Sequence, residues 1–188
     1  FEGTGTPTSW STTIVGSGTV DYDDTTDPGT GSESLEVITS GGDSYSEVDL
    51  GSVYGKFELI FQNKIASGGS NRWWIAGSEV SSFSSNETFN VGFVDGWNYG
   101  WLHNANKLTR STTGVSLGSW HWVKLLVDYS KTTVILTVSA SSDFSSPDVA
   151  SSTSIGFNAA FSGVRYLRFG GISRDMSVWV DEFSAYNL

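Results

Sequence analysis

The sequence predicts an all-β fold made of two packed antiparallel sheets. Three observations carry this expectation. Apolar and β-branched residues alternate with polar ones in short runs bounded by Gly, Ser, Asn or Asp. No segment sustains a 3.6-residue period. Only 16% of the residues are charged, so Ser, Thr, Gly and Asn fill most polar positions, a composition that suits strands and turns better than helices. Large rings (Trp 8, Tyr 7, Phe 11) supply much of the area available for burial. A chain of 188 residues with no linker and no internal repeat reads as one domain, residues 1–188.

Taken in order, strands are expected at Gly18–Asp23, Ser34–Thr39, Tyr45–Leu50, Tyr54–Gln62, Arg72–Ala76 and Thr88–Val94. They continue at Trp97–Asn104, Ser119–Tyr129, Thr132–Ala140, Val164–Gly170 and Met176–Tyr186. The Ser-rich stretches Ser78–Asn86 and Ser139–Ser154 read as long surface loops, with a short turn of helix at Pro147–Ser151 or Asn158–Phe161. Roughly a dozen strands without a cysteine need two sheets stacked face to face.

Charge and composition exclude several classes. A formal net charge of −10 with ten Lys plus Arg leaves no basic patch, so nucleic acid is not expected as a partner. No apolar run approaches the ~20 residues of a membrane-spanning helix, so insertion is not expected either. Cysteine is absent, which removes disulfides. The chain opens at Phe1 rather than Met, as a processed or excised piece would. It is therefore expected as a monomeric module of a larger protein, secreted or on a cell or virion surface.

The segment from Thr88 to His103 is the most informative for function. Asp95-Gly96 is a strong hairpin-turn signal. Counting outward from it pairs Val94 with Trp97, Phe93 with Asn98, Gly92 with Tyr99, Val91 with Gly100, Asn90 with Trp101 and Phe89 with Leu102. Alternation then sorts Phe89, Val91, Phe93 and Leu102 onto a core face. Trp97, Tyr99, Trp101 and His103 fall on the other face, opposite Gly92, Asn90 and Thr88. Rings at period two, edged by hydrogen-bonding groups, make a platform on which a sugar ring stacks while its hydroxyls find directed partners. The alternative is that both faces are buried, and a one-residue error in the turn would exchange the faces.

Arg72-Trp73-Trp74-Ile75 is a second candidate. Alternation separates Trp73 and Ile75 from Arg72 and Trp74, so Arg72 and Trp74 are expected to flank the platform. In Trp120-His121-Trp122, His121 shares a face with Val123, Leu125 and Val127, leaving Trp122 partly exposed with Lys124 and Asp128. Trp10 and Trp179 are expected in the core.

The chain ends carry a family resemblance. Phe1-Glu2-Gly3, Gly31-Ser32-Glu33-Ser34-Leu35 and Val178-Trp179-Val180-Asp181-Glu182-Phe183 resemble the frame of jelly-roll carbohydrate-binding modules and of polysaccharide lyases with the same core. Gly118-Ser119-Trp120-His121-Trp122-Val123-Lys124, followed by Asp128, is similar to the central strand of laminin-G and concanavalin A-like domains. The resemblance implies a two-sheet antiparallel jelly-roll sandwich of the concanavalin A-like kind. It also implies a structural calcium ion (Ca2+) held by Glu2, the Gly31–Ser34 region including Ser34, and Asp181. Such an ion would take carboxylates and carbonyls from both chain ends and staple them together.

Enzymatic signatures are sparse. Paired carboxylates for glycoside hydrolysis would need a run of acids on one strand. Glu47-Val48-Asp49 is the nearest spacing and lacks a third acid. No nucleophile elbow, zinc His pair or phosphate loop is present. The leading expectation is non-catalytic binding of a polysaccharide or glycan. The alternative is a lyase acting on a uronate polymer, with Tyr99, His103, Lys107, Arg110 and Arg72 supplying base and cation. The third reading is a structural domain of a phage tail or adhesin.

Overall fold

A computed structural model describes residues 10–26, 28–66, 72–81, 89–94, 98–104, 107–109, 116–154, 162–171 and 176–188. Strict alternation builds the central strands. In β5 (Lys56–Ile65) Phe57, Leu59, Phe61 and Ile65 are buried, whereas Lys56, Glu58, Ile60 and Lys64 are not. β10 (His121–Asp128) repeats the pattern, with Val123, Leu125 and Val127 fully buried beside buried His121. Trp122 is half-buried on the opposite face, as its alternation predicts.

These strands lie in a seven-stranded antiparallel sheet. It also holds β2 (Thr19–Asp24), β3 (Ser34–Thr39), β11 (Thr133–Ser139), β12 (Val149–Ser154) and β14 (Met176–Asn187), in the order β12-β11-β10-β5-β14-β3-β2. The facing sheet also has seven strands. These are β1 (Trp10–Ile14), β4 (Ser44–Tyr54), β6 (Arg72–Ser78), β7 (Phe89–Val94), β8 (Asn98–Asn104), β9 (Lys107–Thr109) and β13 (Val164–Gly171). Their order is β1-β4-β13-β6-β7-β8-β9, and every pairing in both sheets is antiparallel. No helix occurs among the described residues, and the expected jelly-roll sandwich is the fold.

The core lies between the sheets. Phe57, Leu59, Phe61, Val123, Leu125, Leu136, Val178 and Val180 of one sheet face Val48, Ile75, Leu167 and Phe169 of the other. Burying such side chains is worth about 1.5–3 kcal/mol each. Toward the N-terminal strand the core turns aromatic. Trp10 packs its ring 5.7 Å from Phe169 and 5.5 Å from Phe183, and Phe61 lies edge-on to Phe169 at 5.6 Å. Trp10 thus packs against the core as expected.

Register shifts interrupt five of the strand pairings, two of them where β14 and β13 meet their neighbours. In β14 the register slips between Asp181 and Ser184, where Glu182 adopts a left-handed φ of 51°. Without the slip, Phe183 would share the outer face with Asp181. With it, Phe183 turns onto Trp10 and Phe169. In β13 the slip lies between Val164 and Tyr166.

Three strands were not expected: β1, β9 and β12. β12 occupies Val149–Ser154, where a helical turn and a Ser-rich loop were expected, and pairs along β11 from Val149 opposite Val138 to Ser154 opposite Thr133. Its sequence, Val-Ala-Ser-Ser-Thr-Ser, lacks the large apolar residues that announce a strand, yet an edge position needs few of them. The alternative helical turn, Asn158–Phe161, lies outside the described residues.

Candidate functional site

The outer face of the first sheet is laid out by a continuous register. Glu47 of β4 pairs with Arg168 of β13, Arg168 with Ala76 of β6, Ala76 with Asn90 of β7, Asn90 with His103 of β8, and His103 with Leu108 of β9. A parallel row runs from Phe169 to Ile75, Val91, Leu102 and Thr109. Phe169 and Ile75 are core residues at 0% and 1% exposure, so the Phe169 row is the inward one and the Arg168 row the outward one. Gly92 pairs with Trp101, and Gly92 alternates with Val91 onto the outward set.

This register corrects the predicted hairpin. Val94 pairs with Asn98, Phe93 with Tyr99, Gly92 with Trp101, Val91 with Leu102 and Asn90 with His103, with a slip between Gly92 and Phe93. The expected pairs, counted from a two-residue Asp95-Gly96 turn, are displaced by one residue near the turn and by two beyond the slip. The strand ends leave residues 95–97 between Val94 and Asn98 where two had been counted, and β8 holds an extra residue at the slip. Asn90 and His103 stand in the same row as Arg168, and Trp101 in the row of Gly92. Tyr99 leaves the outward position expected of it, because its partner Phe93 alternates with the inward Val91. Trp97 lies outside the described residues. Arg72 pairs with Phe93, and Trp74 falls at the slip between Trp73 and Ile75, so neither is in line with the Asn90–His103 row.

At the β4–β13 end of the outward row, side chains complete the site. Arg168 Nε donates to Glu47 Oε2 at 2.7 Å, and both side chains are nearly buried, at 15% and 14% exposure. Its Nη2 donates to Ser81 O at 2.9 Å, and its guanidinium sits 4.0 Å from the Tyr45 ring centroid. Arg165 forks onto Asp49, Nε to Oδ1 and Nη2 to Oδ2, each at 2.9 Å. The Arg165 hydrogen bonds hold the Asp49 carboxyl below the usual carboxylate range. Glu47 and Asp49, the pair whose spacing invited a catalytic reading, are thus each matched to an arginine. Sequence reasoning missed Arg165, Arg168 and Tyr45. Arginines three apart on a regular strand point to opposite faces, and the irregular pairing of β13 with β4 between Val164 and Tyr166 brings both to the acids.

The outer face of the second sheet carries a different cluster. Trp179 is half-buried there, paired with Lys64 and Glu36, and is not in the core as expected. Lys64 Nζ lies 5.3 Å from its ring centroid, and its Nε1 donates to Asp24 Oδ2 at 2.9 Å. Alternation explains the correction: Val178 and Val180 take the inward positions, which leaves Trp179 outside.

Beside Trp179, the segment after β2 folds over Asp181 and Gln62. Asp181 is 1% exposed, and its carboxylate accepts the Thr30 N–H at 2.7 Å and the Glu182 N–H at 2.8 Å. Gln62 stands opposite Asp181 in the β5–β14 register, is 8% exposed, and its Oε1 accepts no hydrogen bond from the described residues. Gly29 lies so close that an added Cβ would sit 2.3 Å from that oxygen and 3.0 Å from the Trp120 ring. A buried carboxylate beside an unsatisfied buried amide oxygen is a donor set that a hard cation fits. Ser34, fully buried, opens β3, while Glu2 lies outside the described residues. No three acidic or histidine side chains gather among the described residues, so amide and carbonyl oxygens would have to supply much of the coordination.

Two concavities among the described residues lie at one end of the sandwich. One, of about 180 Å³, is lined by Leu50, Tyr54, Phe57, Ala185, Tyr186 and Asn187. The other, of about 350 Å³, includes Lys56, Asp128 and Tyr129. Asp128 accepts Ser130 Oγ at 2.6 Å, which holds its carboxyl below the usual range. Neither presents a pair of carboxylates.

No family model matches the chain, and no curated protein matches it in sequence. Among solved structures, it is similar to "Cellulose induced protein, Cip1", with TM-score 0.71 and 14% identity over 96% of this chain and 92% of that one. It is similar to a sialidase, with TM-score 0.68 and 8% identity over 95% of this chain but 17% of that one. It is also similar to the binding domain of botulinum neurotoxin DC in complex with SialylT, with TM-score 0.58 and 10% identity over 90% of this chain and 42% of that one. At these identities the likeness establishes a shared sandwich fold.

Proposed function

We propose that this domain binds a polysaccharide without cleaving it, through the outer face of the first sheet. The observation that carries the reading is the register: Asn90, Trp101 and His103 occupy outward positions while Val91 and Leu102 continue the buried row of Phe169 and Ile75. Ala76, Arg168 and Glu47 of this row are covered, at 1%, 15% and 14% exposure, so the ligand is taken at the β7–β8 end of the sheet. Aromatic and amide groups at that end supply stacking and directed hydrogen bonds. Fold likeness to a cellulose-induced protein and to a toxin domain holding SialylT adds support. The domain acts as a concanavalin A-like module within a larger secreted or surface protein. A calcium ion near Asp181, Ser34 and Glu2 serves its stability. Retention in affinity electrophoresis on a panel of soluble polysaccharides tests the reading, and its loss in Trp101→Ala with an unchanged fold identifies the face.

A further inference from the structure

We infer that Gln62, on the central strand β5, gives its amide oxygen to the calcium ion, so that the ion clamps the middle of the second sheet as well as the chain ends; the inference rests on the proposed ion being bound. Alternation turns Phe61 and Asn63 into the sandwich, both at 0% exposure, and Gln62 outward. Gln62 stands in an outward row that runs from Ser139 of β11 through Trp122 of β10 to Asp181 of β14. A polar side chain on the outer face of a sheet normally meets water. Gln62 is only 8% exposed, because residues 28–33, between β2 and β3, lie over it. A methyl group added at Gly29 would collide with Gln62 Oε1 and with the Trp120 ring, and the next residue, Thr30, donates its N–H to Asp181 Oδ2 at 2.7 Å.

Two oxygen-bearing groups are thus held side by side under consecutive residues of the cover. Each Asp181 oxygen accepts one N–H, from Thr30 and from Glu182, and a carboxylate has about four lone-pair sites, so capacity for an ion is left. Gln62 Oε1 accepts no hydrogen bond from the described residues. A buried acceptor without a donor bears the full cost of its desolvation, and a cation offsets that cost. Carboxylate and amide oxygens are both ordinary calcium ligands. The amide adds a ligand without placing a second buried negative charge beside Asp181.

The test is calorimetric titration of the metal-free whole chain with calcium, beside melting curves in chelator and in calcium, for wild type, Gln62→Met and Gln62→Glu. Methionine matches glutamine in length and lacks the oxygen. Glutamate places an oxygen at both amide positions and adds a charge. Calcium affinity should fall at least about tenfold in Gln62→Met, the scale of loss when groups that support a metal are removed. It should be kept or tightened in Gln62→Glu. In chelator Gln62→Glu should melt below wild type, and calcium should close the gap, a reversal that a packing role would not produce. Equal calcium affinity in all three chains overturns the inference and leaves the ion standing on other oxygens. If Gln62→Met does not fold, Gln62→Glu decides, and a melting deficit that calcium leaves unchanged overturns the inference. Absence of calcium binding by the wild type overturns both the inference and the ion.

Discussion

Trp179 donates its indole N–H to Asp24 Oδ2 at 2.9 Å, tying β14 to β2 across the intervening β3. Asp24 is 5% exposed and its other oxygen accepts both the backbone N–H and the hydroxyl of Thr26. Asp24→Ala removes the acceptor of the half-buried Trp179 indole and of the exposed Thr26, at a cost of about 1 kcal/mol. For a domain of this size each kcal/mol lowers Tm by about 2–4 °C. Thermal melting followed by Trp fluorescence should show Asp24→Ala below wild type and Asp24→Asn, which keeps an acceptor, in between. A wild-type melt for Asp24→Ala would mean the bond carries no stability.

Asp49 and Arg165 make a pH-dependent contact. The carboxyl of Asp49 is lowered below its ordinary value of 3.8, first by the Arg165 hydrogen bond. A depressed folded-state value gives stability that is present above 3.8 and lost as pH falls through the folded value. The side chains are 38% and 40% exposed, so the pair is worth at most about 1 kcal/mol. Asp49→Asn should therefore melt slightly below wild type at pH 6, and the gap should close as pH falls below the carboxylate range. A gap independent of pH would assign the effect to packing.

Much of the fold was legible because alternation survives in the central strands. Val123, Leu125 and Val127 announce an inward face that the structure buries completely. The outer edges were not legible. β12 carries Val149 and Ala150 followed only by Ser and Thr, and pairs along β11. The hairpin register was not legible. A displacement of two, as at Asn90, Val91 and Gly92, leaves the division of residues between the two faces unchanged. Tyr99, nearer the turn, is displaced by only one and so changes sides. Phe183 depends on a one-residue bulge in β14, and the placing of Arg165 and Arg168 on an irregular pairing in which five positions of β4 run against two of β13; neither leaves a compositional trace.

The proposed calcium ion gives a thermodynamic signature. An ion present at a hundred times its Kd adds about 2.7 kcal/mol to folding. Exhaustive chelation should then lower Tm by roughly 5–11 °C, and readdition of calcium should restore it. Asp181→Ala should remove the response to calcium, beyond its cost in lost hydrogen bonds to Thr30 and Glu182. Identical melting with chelator and with calcium in the wild type would refute the ion.

The face assignment predicts opposite outcomes for four ring substitutions. Phe169→Ala removes a ring that is 0% exposed, at a cost of about 3–5 kcal/mol. Trp101→Ala acts on an outward register position opposite Gly92, so its melting should stay within about 0.5 kcal/mol of wild type. Its binding should fall by about 30-fold, equivalent to the roughly 2 kcal/mol lost when a central aromatic anchor is truncated. Trp122→Ala, on the outer face of the second sheet, should leave binding unchanged. Tyr99→Ala separates the two hairpin registers. With Tyr99 paired to Phe93, its removal should lower Tm while the folded fraction still binds; with the two-residue turn it would behave like Trp101→Ala. Melting curves and affinity electrophoresis on the four variants decide the matter. If Trp101→Ala melts as low as Phe169→Ala, Trp101 is a core ring, and the glycan surface proposed for this sheet is lost.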